Sequence, residues 1–150
     1  MNSVSTATTD RELDLELTAA LRGRGHRVTV PRLLVHRHVR RSHGHLTAEQ
    51  VHGELAPGLP SLSPATIYAT LDLLDELGFV RRLSTPGGTI VYDPRTEAHH
   101  HAICRRCGRM EDIEAPVDIR AVEAAAAKAG FRADHGELQL SGLCAACATA

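Results

Sequence analysis

The sequence predicts an α+β chain, an N-terminal winged helix-turn-helix followed by a small α/β unit. Three observations carry this. Residues 10–78 hold four stretches with apolar residues at helical spacing, each with its own start and stop signals. At "FVRRLSTPGGTIVYDP" (79–94) the pattern becomes a strand, a Pro-Gly-Gly turn and a second strand, and helices followed by such a hairpin form a winged helix. Beyond it, short strand-like runs flank one Ala-rich helical stretch. With no Trp and only 3% aromatics, the core must be built from Leu, Val, Ile and Ala, which suits helices and a small sheet.

Taken in order, residues 1–9 are Ser/Thr-rich and read as a disordered tail. A first helix begins near Asp10, with Leu13, Leu17, Ala20 and Leu21 on one stripe and Gly23 or Gly25 as its stop. A second starts after Thr29 with Pro31 in its first turn and runs to about Ser42. In "HLTAEQVHGEL", Thr47 and Gln50 form a capping box for a third, with Val51 and Leu55 inward. The fourth has Ser63 as cap, Pro64 at its first position, a buried stripe of Ile67, Leu71 and Leu74, and Gly78 at its end. The winged-helix domain thus spans 10–92, residues 93–98 read as a hinge, and 99–150 form the second domain. There, strands are expected at 99–104 and 109–114, a helix over 118–129 closed by Gly130, and a last strand ending at Cys144.

The first ten residues carry no apolar signal segment, and no apolar run approaches a membrane span, so a cytoplasmic location and no membrane partner are expected. Disulfides are rare in that compartment, and the four cysteines need another explanation. The net charge of −1 is unevenly spread: no acidic residue lies between Glu16 and Glu49, a window holding Arg22, Arg24, Arg27, Arg32, Arg37, Arg40 and Arg41. A basic stretch in a chain that is not basic overall fits either a DNA-binding face or a solvated surface.

Cys104 and Cys107 form one C-x-x-C, and Cys144 and Cys147 another. Four thiolates in two close pairs match a closed tetrahedral Zn²⁺ site; two redox thiol pairs are the alternative. Immediately upstream stand His99, His100 and His101. Along a strand, alternate side chains share a face, so His99 and His101 point one way and His100 the other. Zinc being served by sulfur, the His99/His101 pair suits a second metal. Asp112 on the neighbouring strand, Asp93 at the hinge and His45 are further candidate donors. Imidazoles with carboxylates favour Fe²⁺, Mn²⁺ or Zn²⁺.

The segments "RVTVPR", "HLTAEQVH", "SPATIYATLDLLDELGFV", "YDP", "HHHAICRRCGRMEDI" and "LCAAC" occur in one order, and over residues 20–147 the chain resembles the ferric uptake regulator family of metal-dependent repressors. The resemblance implies a C-terminal dimerisation domain, a homodimer on a palindromic operator, and one structural Zn²⁺ per subunit on Cys104, Cys107, Cys144 and Cys147. It also implies one regulatory Fe²⁺ or Mn²⁺ per subunit, for which the ligands of the peroxide-sensing branch match His45, Asp93, His99, His101 and Asp112. That branch carries Asp where iron sensors carry Glu; Glu111 adjoins Asp112, so the register decides which one serves. In peroxide sensing, His45 or His99 would be the imidazole that takes up oxygen. The fourth helix would enter the major groove, with Ser63, Thr66 and Tyr68 as base-contact candidates, the first two serving equally as caps, while Arg22, Arg24, Arg27 and Arg32 hold phosphates. Ala69 departs from the family, where a long polar or basic residue often follows the Tyr. The rival readings are an iron- or manganese-responsive uptake repressor without peroxide chemistry, a metallohydrolase, for which no H-E-x-x-H motif is present, and a zinc-binding interaction module.

Overall fold

The computed structural model describes residues 8–134 and 136–149, so the tail expected over 1–9 lies mostly outside the described residues. The chain divides into two compact units, one of residues up to 83 with 90–96, the other of 84–89 with 97 onward.

The first unit is helical. Helix α1 is Asp10–Gly23, and it starts where a capping box forms: Thr9 accepts the Glu12 amide, and the Glu12 carboxylate accepts the Thr9 N–H. Thr9 is therefore a cap rather than part of a tail. Helix α2 is Val30–Arg41, α3 is Ala48–Leu55 and α4 is Pro64–Glu76. Thr47 and Gln50 form the expected box on α3, and the Ser63 hydroxyl accepts the Thr66 amide at the head of α4. Each such cap stabilises its helix by about 1 kcal/mol. Gly78, at φ +80°, ends α4 in the left-handed region, and the Phe79 amide then reaches back to the Leu74 carbonyl at 2.8 Å. A short 3₁₀ turn, Ala56–Gly58, links α3 to α4 and has no counterpart in the sequence reading.

These helices close over one core of Leu17, Leu21, Val35, Val39, Val51, Ile67, Leu71 and Leu74. Each such side chain contributes about 1.5–3 kcal/mol by leaving water. Strands β1 (Arg81–Ser84) and β2 (Ile90–Asp93) form the two-stranded sheet. Tyr92 on β2 is buried, and its hydroxyl donates to Asp72 Oδ1 at 2.9 Å; burial first, then this carboxylate, pushes the phenol up to about 12.

Polar side chains are buried in this unit too, among them Thr70, Asp93 and His36. His36 on α2 is fully buried, edge-on to Phe79 with ring centroids 4.8 Å apart. Burial pushes its pKa from 6.5 down to about 4; Arg40 acts the same way, and Asp14 and the Leu13 carbonyl oppose less strongly. The folded chain therefore binds fewer protons at His36 than the unfolded chain between these values. Stability from this residue is complete above pH 6.5 and falls as pH drops towards 4, by at most about 3 kcal/mol. His36→Leu is expected to flatten this slope, read as a smaller change of urea midpoint between pH 7 and pH 4.5 than in the parent. An unchanged slope would place the acid sensitivity elsewhere.

The second unit holds a three-stranded sheet. Strand β3 (His100–Cys104) is central, antiparallel to β4 (Met110–Ile113) and parallel to β5 (Gln139–Gly142). The parallel pairing requires a crossover, which carries helix α5 (Arg120–Lys128). β5 ends two residues before Cys144, which instead begins the short helix α6 (Ala145–Ala148), an element absent from the sequence reading. Among the described residues α5 buries no side chain.

Candidate metal centres

The four cysteines converge. Gly108, at φ +76°, turns the chain back after Cys107, and the Gly108 amide reaches the Cys104 carbonyl at 2.9 Å. The parallel register sets Cys104 against Gly142, and the Arg105 amide bonds the Gly142 carbonyl at 2.9 Å. That register brings the second C-x-x-C beside the first, and the four sulfurs lie within 4.8 Å of one another. All four are free of disulfide bonds. Cys107 Sγ and Cys144 Sγ stand 3.8 Å apart. Thiolates about 2.3 Å from a tetrahedral zinc are about 3.8 Å apart, so the donor set fits that ion. Backbone N–H groups of Cys144 and Cys107 hold the Cys104 thiol down at about 5, whereas the neighbouring thiols, Cys144 first, push Cys147 up. Sulfurs crowded in this way ionise together only around a cation.

The histidines divide as strand alternation requires. His99 and His101 are buried, at 4% and 1% exposure, with ring centroids 4.4 Å apart. His100 faces the other way, where its Nδ1 accepts the Leu138 amide at 3.0 Å. The antiparallel register pairs His101 with Asp112 and Ala102 with Glu111. Asp112 Oδ1 lies 3.4 Å from His99 Nε2 and 3.9 Å from His101 Nε2, while the Glu111 carboxylate is paired with Arg109. The carboxylate at the histidine pair is thus Asp112. His99 Nδ1 lies 2.8 Å from the Glu97 carbonyl, a contact that puts the proton on Nδ1 and aims Nε2 as the donor atom.

His45 and Asp93 form a second pair, in the first unit. An isolated antiparallel bridge joins Leu46 to Tyr92, with hydrogen bonds of 3.0 and 2.8 Å, and it brings the preceding His45 beside the following Asp93. Asp93 Oδ1 accepts the Arg95 amide at 2.8 Å, and Oδ2 lies 3.6 Å from His45 Nε2. Sequence reasoning missed the supports of this pair, Tyr92 and its partner Asp72; a lone Tyr beside the hinge was their only signal.

The residues proposed for nucleic acid are spread over α1, the segment after it, α2 and the start of α4. Arg27, Arg32 and Thr66 line one shallow groove with Thr29, Ala65 and Ala69, and the Arg32 guanidinium donates to the Arg27 carbonyl. Arg22 is exposed at the end of α1. Arg24 instead lies at the far end of α4, where it donates to the Glu76 carbonyl at 3.3 Å. Ser63 caps α4 and its hydroxyl shares a hydrogen bond of 2.9 Å with that of Thr66, and the Tyr68 hydroxyl donates to Glu49. The basic window is also partly neutralised, because Arg37 pairs with Asp14 and Arg41 with Asp10 on α1.

The pattern of the ferric uptake regulator family matches residues 23–141. The peroxide-responsive repressor PerR of Staphylococcus epidermidis is 33% identical over 138 residues, covering 92% of this chain and 91% of its own. Among solved structures, the ferric uptake regulator Fur of Helicobacter pylori superposes with a TM-score of 0.79 at 20% identity, covering 94% of this chain and 95% of that one. A zinc uptake regulator complexed with zinc and DNA superposes with a TM-score of 0.64 at 30% identity, covering 95% and 97%. No helix among the described residues is long and apolar enough to cross a membrane.

Proposed function

The chain belongs to the ferric uptake regulator family of metal-dependent transcriptional regulators, and from that premise we propose that it is a homodimeric DNA-binding repressor that senses hydrogen peroxide through oxidation of a histidine ligand. On this reading Cys104, Cys107, Cys144 and Cys147 hold one structural Zn²⁺ per subunit. His45 and Asp93 join His99, His101 and Asp112 in holding one Fe²⁺ or Mn²⁺ per subunit. The observation that carries the peroxide reading is Asp112, the carboxylate 3.4 Å from His99 Nε2, with Glu111 engaged by Arg109. The likeness to a peroxide-responsive repressor supports the same assignment.

The chain's own residues supply the switch. His45 and Asp93 belong to the unit that carries the helix-turn-helix, and the other three donors to the sheet unit. A metal held by both sets ties the two units and, in a two-fold dimer, sets the spacing of the two α4 helices for a palindromic operator. The coupling is reciprocal, and operator DNA tightens metal binding by the same factor. Bound Fe²⁺ supplies the one-electron chemistry that activates peroxide. In the net change, the imidazole carbon between the two ring nitrogens of His45 or His99 would take up one oxygen atom of peroxide as the O–O bond breaks, its hydrogen staying on the oxidised ring and the other oxygen leaving as water. The oxidised ring is a poorer ligand, its half of the set no longer closes, and DNA is released. A second copy also has a surface to cover: Val122, Phe131 and Leu140 of the sheet unit are 69%, 72% and 50% exposed.

Mass spectrometry of protein loaded with Fe²⁺ or Mn²⁺ and treated with peroxide tests this. A one-oxygen gain on the peptides containing His45 and His99 is expected with Fe²⁺ and not with Mn²⁺. No gain, with metal bound and zinc retained, would assign the chain to iron- or manganese-responsive uptake control instead.

A further inference from the structure

Helix α4 is the second helix of the helix-turn-helix, the one that enters the major groove in this motif. Bidentate readout of guanine or adenine there relies on Arg, Lys, Asn or Gln, whereas Ser and Thr offer single hydroxyl contacts to either. Helix α4, "PATIYATLDLLDE", contains none of the four. Its hydroxyls are engaged within the protein: Ser63 with Thr66, Tyr68 with Glu49, and Thr70, buried, with the Thr66 carbonyl at 2.7 Å. Besides Tyr68, 41% exposed, the first two turns expose Pro64, Ala65 and Ala69. Ala65 and Ala69 stand one helical turn apart, both exposed, in a shallow groove that Arg27 and Arg32 also line.

We infer that α4 reads its operator through the 5-methyl groups of thymine, which pack against Ala65 and Ala69 while Arg27 and Arg32 hold the neighbouring phosphates. This rests on the DNA-binding reading above. The occupant follows from the lining: Arg27 and Arg32 beside Ala65, Ala69 and the threonines Thr29, Thr66 and Thr70 match a phosphate backbone next to a thymine-bearing groove edge. Small side chains also let the helix backbone approach the bases closely, which a long residue at position 69 would prevent. The specificity of this chain thus lies in shape and methyl contact, and a guanine at a contacted position has no bidentate partner on α4.

The test uses the full chain loaded with Zn²⁺ and Mn²⁺. Binding sites are selected from randomised duplex DNA, and each thymine of the selected duplex is then replaced by uracil, which removes only the methyl group. Uracil at contacted thymines is expected to weaken binding about three- to fivefold per methyl, and at other thymines not at all. Ala69→Gln, which adds a bidentate donor and fills the strip, is expected to abolish the thymine-over-uracil preference and to shift the selected base towards adenine. Arg32→Ala is expected to weaken thymine and uracil duplexes equally and to lower the salt dependence. Selective binding that is indifferent to every uracil substitution would overturn the inference and leave the repressor reading standing. Failure to select any duplex would overturn both.

Discussion

Replacing Cys104 with serine is expected to cost the protein its zinc and to unfold the sheet unit. The reason lies in what else holds that unit together. Among its described residues only Ile103 and Cys104 are buried hydrophobic residues, α5 buries nothing, and Val122, Phe131 and Leu140 are exposed. A core this small within one chain does not offset the entropy of ordering it, and the proposed structural metal, together with the second copy covering this surface, would supply the difference. Structural zinc contributes on the order of 10–16 kcal/mol in small domains, comparable to the whole stability of an ordinary one. Zinc released to a colorimetric chelator should fall from one equivalent to none in Cys104→Ser. Amide exchange over residues 100–142 should become unprotected, while α1–α4 keep their protection through the separate leucine-rich core. Stoichiometric zinc in the variant would remove the cysteines from the structural site.

His101→Ala should have the second-largest effect, with the fold retained. His101 is 1% exposed, is paired in register with Asp112, and sits 4.4 Å from the His99 ring, so its loss takes one donor from the middle of the proposed regulatory set. The Mn²⁺-dependent gain in operator affinity is expected to fall by roughly a hundredfold, the range of a coupling worth a few kcal/mol. Zinc content should not change. His100→Ala is the matched comparison. Its ring accepts the Leu138 amide on the opposite face, so the variant loses about 1 kcal/mol of strand pairing and keeps its response to metal. Equal loss of metal response in both variants would mean that the strand, not the ligand, was damaged.

Much of this molecule is readable locally. The Thr47–Gln50 box, the Ser63 cap with Pro64, and Gly78 each act within one helical turn, and the helices start and stop where those residues stand. Strand alternation likewise sorted His99 and His101 from His100, because a pleat imposes its period on any sequence. The last strand is different. Its parallel pairing with β3 and the α6 turn at Cys144 depend on a crossover that no local pattern announces, and so does the meeting of the two C-x-x-C pairs.

The sequence by itself determined the four helices of the first unit and the hairpin that follows them, the two sets of donor chemistry and the absence of any long donor from α4, because each is a property of residue types and short-range spacing. Tertiary structure decided which charges are already committed. Arg24 is held by the end of α4, Arg37 and Arg41 by α1, and Tyr68 by Glu49, all through partners 19 or more residues away. It also buried His36, and it chose Asp112 over Glu111 through a one-residue register. Charge pairing and strand register depend on distances in space, and those exist only once the chain has closed on itself.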